Sequence, residues 1–153
     1  MKTIVLYDTK YGFTEKCARY LYEKLEESDI RKLNDDYNIN DYDRIFLGTY
    51  IDDGEVSAKT RDFLKQHKSK LLNKKLGIFC SALDKNDYLN ALQKSLDPEI
   101  FYNSKIVLPG GKVNLEELSF LEKRRIRKRI NVVENTEEFH PYKLDELLKL
   151  LEI

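Results

Sequence analysis

The residues best placed for chemistry form the hexapeptide Thr-Lys-Tyr-Gly-Phe-Thr at positions 9–14. It follows the apolar run 3–7 and opens a helical pattern, with Gly12 at its centre. A loop between a strand and a helix directs backbone N–H groups and the positive end of the helix dipole at one point. Gly12 permits close wrapping, and the hydroxyls of Thr9 and Thr14 can donate to phosphate oxygens. This pattern predicts an anion site suited to a phosphomonoester.

Two common nucleotide-binding loops are excluded. The Gly-Lys-Ser/Thr ending of a Walker loop is missing, and so is the three-glycine spacing of a dinucleotide-binding turn. The residues alone leave a plainer alternative, in which the stretch is a glycine-containing turn and Thr14 caps the helix or lies in its first turn.

The elements that position this loop follow from the hydrophobic pattern. Short apolar runs rich in β-branched and aromatic residues predict strands at 2–7, 29–33, 44–49, 75–81 and 104–108. Helical patterns lie between them, carried by Cys17, Ala18, Leu21 and Leu25, by Val56, Phe63 and Leu64, by Leu89, Leu92 and Leu96, and by Leu144, Leu147, Leu148 and Leu151. Asp97-Pro98 is expected to end the third helix, and Pro141 to lie in the first turn of the last. The alternation predicts a three-layer α/β domain, with a mostly parallel sheet covered by helices on both faces.

Ligands of such sheets bind beyond the carboxyl ends of the strands. The loops after the first, third and fourth predicted strands, at 8–13, 50–55 and 82–85, are therefore expected to form the site.

Composition limits the function classes. The 153 residues suit one domain, 1–153, and 27 basic side chains balance 27 acidic ones, so the whole chain does not attract polyanions. We expect a soluble cytoplasmic protein, because no apolar run approaches the ~20 residues that cross a bilayer. Cys17 and Cys80 are interpreted as buried thiols, and His67 and His140 lack partners at metal-ligand spacing.

The stretch 9–14 resembles the Thr-x-Thr-Gly-x-Thr loop with which flavodoxins hold the phosphate of FMN, with Tyr11 in place of the middle hydroxyl residue. The stretches 48–51 (Gly-Thr-Tyr-Ile) and 80–83 (Cys-Ser-Ala-Leu) occupy the positions of the family's third-strand and fourth-strand loops. The resemblance implies a flavodoxin-like fold, a five-stranded parallel sheet of order 2-1-3-4-5 and FMN as the cofactor. It implies these cofactor-binding residues: Thr9, Lys10, Tyr11, Gly12, Phe13, Thr14, Thr49, Tyr50, Ile51, Ser81, Ala82 and Leu83.

The resemblance also suggests individual roles. Tyr50 would stack on the isoalloxazine and Thr49 would contact the ribityl chain or the ring edge; the alternative makes Tyr50 an ordinary exposed loop tyrosine. Asp52 and Asp53, followed by Gly54, either form a plain turn or place negative charge near the flavin.

An additional segment, 109–136, follows the last predicted strand and is expected to contain an extra helix. Its beginning, 109–115, resembles the corresponding stretch of the menaquinone-dependent protoporphyrinogen dehydrogenase branch, where a basic helical insert follows. Six of the seven residues from Lys123 to Arg129 are basic. They form either a solvated face or a surface for anionic lipid, an acidic protein or porphyrin propionates. Nucleic acid is not predicted, because stacking aromatic residues are not interleaved with the cations.

Four functions remain open. The resemblance implies an FMN oxidoreductase that oxidises protoporphyrinogen and passes electrons to a quinone, with peripheral contact at the inner face of the membrane through Lys123 to Arg129. A small flavodoxin-type electron carrier, serving a redox partner protein, is the main alternative. A receiver-like phosphoacceptor domain using Asp8 and Asp52, and a cofactor-free interaction domain with Tyr11 blocking the phosphate pocket, are the others.

Overall fold

The computed structural model describes residues 1–83, 85–124 and 135–152. The strands of these segments, in chain order, are β1 (Thr3–Tyr7), β2 (Ser28–Lys32), β3 (Arg44–Asp52), β4 (Glu55–Val56), β5 (Lys75–Ser81), β6 (Lys105–Val107), β7 (Gly110–Val113) and β8 (Thr136–Phe139). Five of them form the parallel sheet β2-β1-β3-β5-β6. When only these five parallel strands are counted in chain order, this is the predicted order 2-1-3-4-5, which is therefore confirmed.

The helices are α1 (Phe13–Lys24), α2 (Ala58–Leu71), α3 (Lys85–Ser95), α4 (Pro98–Asn103), α5 (residues 120–124) and α6 (Pro141–Leu150). Short 3₁₀ turns lie at Ile39–Asp41 and Leu115–Glu117.

Alternate side chains of the central strands point to opposite faces of the sheet, so each face has its own core. Ile4 and Leu6 of β1 pack in a cluster with residues of α2, α3 and α4. Val5 and Tyr7, their neighbours, pack in a second cluster with residues of α1 and α6. This arrangement confirms the predicted three layers and explains why these strands are apolar on both faces.

Several local predictions were wrong. Val56 lies in β4, a short strand that pairs antiparallel with β3, and not in the following helix. The predicted end of the third helix at Asp97-Pro98 was right, since α3 ends at Ser95, but the pair also begins α4. The Asp97 carboxylate accepts from the Glu99 amide at 2.9 Å, and Pro98 occupies the first turn of α4. Leu89 is 43% exposed, so it does not share the buried face of Leu92. Leu25 follows the end of α1 as its C-cap.

The segment after β6 contains an unexpected hairpin, in which β7 pairs antiparallel with β8. Gly110 is required here, since its φ is +127° and a Cβ would lie 1.9 Å from the carbonyl oxygen of Glu138. A helix does begin in this segment at residue 120. Of the basic stretch from Lys123 to Arg129, only Lys123 and Arg124 fall within the described residues.

Candidate functional site

The loop between β1 and α1 forms an open backbone cradle. Gly12 is the N-cap of α1 with φ 90° and ψ −11°, and no side chain caps this end of the helix. A Cβ built at Gly12 would meet no heavy atom within 4 Å. The Thr9 hydroxyl accepts from the Gly12 amide at 3.0 Å. Within the described part of the chain, the first-turn amides of Phe13 and Thr14 have no acceptor, which is the arrangement that binds anions at helix N-termini.

Thr14, in the first turn of the helix that follows β1, contacts the carboxyl ends of β3 and β5. These are the three places that the sequence predicted to meet. Its side chain is 2% exposed, and its hydroxyl lies 3.0 Å from the Ser81 hydroxyl and 3.4 Å from the Thr49 carbonyl oxygen, to which it donates. The Thr14 hydroxyl is therefore engaged by the protein, whereas its backbone amide is one of the open first-turn amides of α1. The predicted phosphate contact of Thr14 thus depends on the amide in this conformation.

A buried chain of hydroxyl groups continues from Thr49 towards α2. The Thr49 hydroxyl lies 2.8 Å from that of Thr60, and the Ser57 hydroxyl, also 2.8 Å from Thr60, donates to the Asp8 carboxylate at 2.7 Å. All four side chains are buried. Since polar groups away from water require partners, this network fixes the ends of β1 and β3 relative to α2. The Thr49 hydroxyl lies within it, so the contact of this side chain with a flavin stays a prediction.

The structure places Tyr50 within β3 rather than in a loop. Its side chain is half-buried, and burial, with the Asp8 and Asp52 carboxylates, raises the pKa of its hydroxyl. The interpretation of Tyr50 as an ordinary exposed loop tyrosine was therefore wrong. Ile51, the next residue, pairs with Val56 across the β3–β4 hairpin.

The turn interpretation of Asp53 and Gly54 is confirmed. Both residues have positive φ, 51° and 78°, and they connect β3 to β4. An Asp-Gly pair with this backbone is typical of a two-residue hairpin turn.

The β7–β8 hairpin supports the loop after β5. The Ala82 amide donates to the Gly110 carbonyl oxygen at 2.9 Å. A Cβ at Gly111 would lie 2.6 Å from the Ala82 carbonyl carbon and 2.9 Å from the Leu83 nitrogen. Two glycines therefore let the hairpin backbone contact the loop directly, and this support was missed in the sequence.

Lys10 and Tyr11 both contact Glu122, a residue that was not among those predicted for the site. The Glu122 carboxylate accepts from the Tyr11 hydroxyl at 2.5 Å and lies 2.6 Å from the Lys10 ammonium nitrogen. Asp52 lies 3.6 Å from the same nitrogen. The hydrogen bonds from Lys10 and Tyr11 lower the pKa of Glu122 to about 2, while burial and the bond to Glu122 raise the pKa of Tyr11 to about 12. We refer to Lys10, Tyr11 and Glu122 as the loop clasp.

The pattern Ser119-x-x-Glu122 is a sequence signal for the start of α5, although not for its contact with the loop. The Glu122 amide donates to the Ser119 hydroxyl at 3.2 Å, and the Ser119 amide donates to the Glu122 carboxylate at 3.2 Å. This reciprocal pair is a capping box, which begins a helix. The same carboxylate thus starts α5 and holds it to the cradle.

The comparison with protein families decides the relationship. A family model of the flavodoxin domain matches residues 4–139. The chain belongs to the flavodoxin domain family. This confirms the family resemblance that the loop sequences indicated.

Individual relatives of this flavodoxin-family chain differ in the extent of their similarity. The flavodoxin-like domain-containing protein BilS of Clostridioides difficile is 28% identical over an alignment of 159 positions that covers 92% of this chain and 88% of BilS. The quinone-dependent protoporphyrinogen IX dehydrogenase of Escherichia coli K12 is 30% identical over 77 residues, 46% of this chain and 42% of that enzyme. A Fusobacterium nucleatum flavodoxin bound to flavin mononucleotide superposes with a TM-score of 0.61 at 14% identity, covering 99% of this chain and 96% of that one. At this identity the structural match shows a shared fold.

No helix in the described residues 1–83, 85–124 and 135–152 combines the length and the apolar composition that crossing a bilayer requires.

Proposed function

We propose that this flavodoxin-family protein binds FMN and transfers electrons through it. The observation that carries the proposal is the cradle at Gly12, where a glycine with positive φ leaves the first-turn amides of α1 open to an anion. Bound FMN supplies one-electron and two-electron redox chemistry.

Each part of the site has a role in this proposal. The amides of Phe13 and Thr14 and the hydroxyl of Thr9 hold the phosphate, and Tyr50 offers a half-buried aromatic face for the ring. The end of β3 at 49–51 and the end of β5 with its following loop at 81–83 flank the ring, and the β7–β8 hairpin keeps the second of them in place. The carboxylates of Asp8 and Asp52, which already influence Tyr50, give the ring side of the site a negative potential.

Titration of the purified apoprotein with FMN tests the proposal. We expect saturable quenching of flavin fluorescence, with tighter binding of FMN than of riboflavin because only FMN carries the phosphate. Replacing Gly12 with valine, which combines positive φ with a β-branched side chain, should abolish the difference between the two flavins. A protein that binds neither flavin at micromolar concentration contradicts the proposal and leaves an interaction domain.

Within this function, we propose that the protein oxidises protoporphyrinogen and passes the electrons to a quinone at the cytoplasmic face of a membrane. The partial similarity to the Escherichia coli dehydrogenase supports this activity, as does the extra segment after β6. On α5, Phe120 is 78% exposed and Leu121 67% exposed, and Arg124 is exposed beside them. Two apolar side chains with adjacent cations are suited to contact with anionic lipid.

Turnover with protoporphyrinogen and a menaquinone analogue tests this activity in the FMN-loaded protein. Sedimentation with vesicles containing anionic lipid tests the surface, with replacement of Phe120 and Leu121 by serine as the variant. Tyr102→Ser, which changes an 81% exposed side chain elsewhere, is the matched control. We expect the double variant to lose vesicle binding and the control to retain it.

An electron carrier without its own substrate is the second candidate. The more extensive match, to BilS over 92% of the chain, is with a protein described only by its flavodoxin-like domain. FMN binding without turnover of protoporphyrinogen favours this candidate. The receiver-like alternative loses support, because Asp8 is 8% exposed and already accepts a hydrogen bond from Ser57.

A further inference from the structure

The loop clasp attaches a carboxylate to the loop that forms the cradle, where the proposed function puts a phosphate. Lys10 is the cation of this loop, yet its ammonium group lies between Glu122 at 2.6 Å and Asp52 at 3.6 Å. Lys10, Glu122 and Asp52 together therefore carry a net negative charge. A dianionic phosphate entering the cradle is repelled by the carboxylates and attracted by the ammonium group.

Glu122 also connects α5 to the loop. Its carboxylate closes the capping box with Ser119 and accepts from the Tyr11 hydroxyl, which lies 111 positions away in the sequence. The outer face of α5 carries the exposed Phe120 and Leu121, so the inner face is held at this point by the loop clasp. Removing Lys10 from the loop clasp weakens the attachment of α5.

We propose that Glu122 is a positioning residue that competes with the FMN phosphate for Lys10, so that phosphate binding loosens α5 from the cradle. The inference rests on the proposed binding of FMN. It assigns to the extra segment a link with the cofactor that the family fold by itself does not require. The exposed surface of α5 then depends on whether the cradle is filled.

The first test is a comparison of FMN and riboflavin affinities in four variants. Glu122→Gln removes the charge but still accepts from the Ser119 amide, so the capping box is preserved. We expect it to tighten FMN binding about 3- to 10-fold, the size expected for removing one nearby carboxylate, and to leave riboflavin binding unchanged. In a Lys10→Gln background the same replacement should give less than half of this gain. Glu116→Gln, which removes an equal charge from an exposed residue of the 3₁₀ turn that precedes α5, should change neither affinity.

The second test is hydrogen exchange of the amides in 119–124. We expect FMN to increase their exchange in the wild-type protein, and riboflavin to leave it unchanged.

The proposal requires both results. An unchanged FMN to riboflavin ratio in Glu122→Gln overturns it, and so does a gain that is undiminished without Lys10, because Glu122 would then act only by direct repulsion. Exchange in 119–124 that does not respond to FMN also overturns it. In each of these cases FMN still binds, whereas failure of the proposed function is recognised by the absence of FMN binding to every variant.

Discussion

Gly48 offers the sharpest connection between the core and the proposed cofactor loop. It lies in β3 beneath the start of α1, where a Cβ would be 2.4 and 2.5 Å from two ring carbons of Phe79 and 2.9 Å from Cγ2 of Thr14. Phe79 is fully buried, so its ring has no open space to enter. Gly48→Ala therefore forces a displacement of the ring, of Thr14 or of both.

The expected magnitude follows from overpacking of a dense core. Such insertions typically destabilise by about 1–3 kcal/mol, which for a domain of this size lowers Tm by about 2–12 °C. Movement of Thr14 also disturbs its 3.0 Å contact with Ser81 and the first-turn amides of α1. We expect FMN affinity to fall about fivefold, the equivalent of one hydrogen bond.

Thermal unfolding and FMN titration of Gly48→Ala measure both effects. Gly77→Ala is the matched control, because the three atoms nearest to its Cβ would be the flexible ends of Leu147 and Leu151, at 3.0–3.2 Å. We expect this control to keep wild-type FMN affinity, and Phe79→Leu to restore part of the Tm lost in Gly48→Ala. A Gly48→Ala protein with wild-type Tm refutes the reasoning, as does an equal loss of FMN affinity in the control.

Three further outcomes are expected. A side chain at Gly12 meets no steric contact but must adopt a φ of 90°, so Gly12→Ala should destabilise the protein by about 1–2 kcal/mol. Gly12→Asn should destabilise it by less, since asparagine tolerates this conformation. Urea unfolding compares the two variants, and equal losses of stability would contradict the conformational explanation. Thr60→Val removes a hydroxyl lying 2.8 Å from both Thr49 and Ser57 and should destabilise by about 1–3 kcal/mol in the same assay, whereas Thr9→Val on the half-exposed loop should cost less. The pKa of Glu122 is lowered from its ordinary value of 4.5 to about 2, so the contribution of this carboxylate to stability is complete above pH 4.5 and is lost as pH falls through about 2. An NMR titration of this carboxyl group with a midpoint near 4.5 would contradict the loop clasp.

The sheet could be predicted because its signals are local. Val5 and Phe46 belong to continuous apolar runs that are buried on both faces, and such a run is typical of a strand inside a parallel sheet covered by helices. The β7–β8 hairpin could not be predicted in the same way. Gly110 and Glu138 carry no alternating pattern, and their strands are held by a backbone pairing between distant parts of the chain.

The candidate site divides along the same lines. A topological rule was enough to bring Thr14, Thr49 and Ser81 together, because carboxyl ends of neighbouring parallel strands lie at one edge. The direction of each hydroxyl depended on partners such as Thr60, which the pattern of strands does not specify. Glu122 was missed because its meeting with Tyr11 depends on the path of the whole segment after β6.

The register of the small hairpin has a consequence for how the chain tolerates insertions. Val113 and Thr136 are paired residues, so the chain leaves the β7–β8 hairpin and returns to it at neighbouring points. A connection between such points can be lengthened or shortened without altering the spacing of the strands in the parallel sheet. We therefore expect changes in the length of 114–135 to leave that sheet intact.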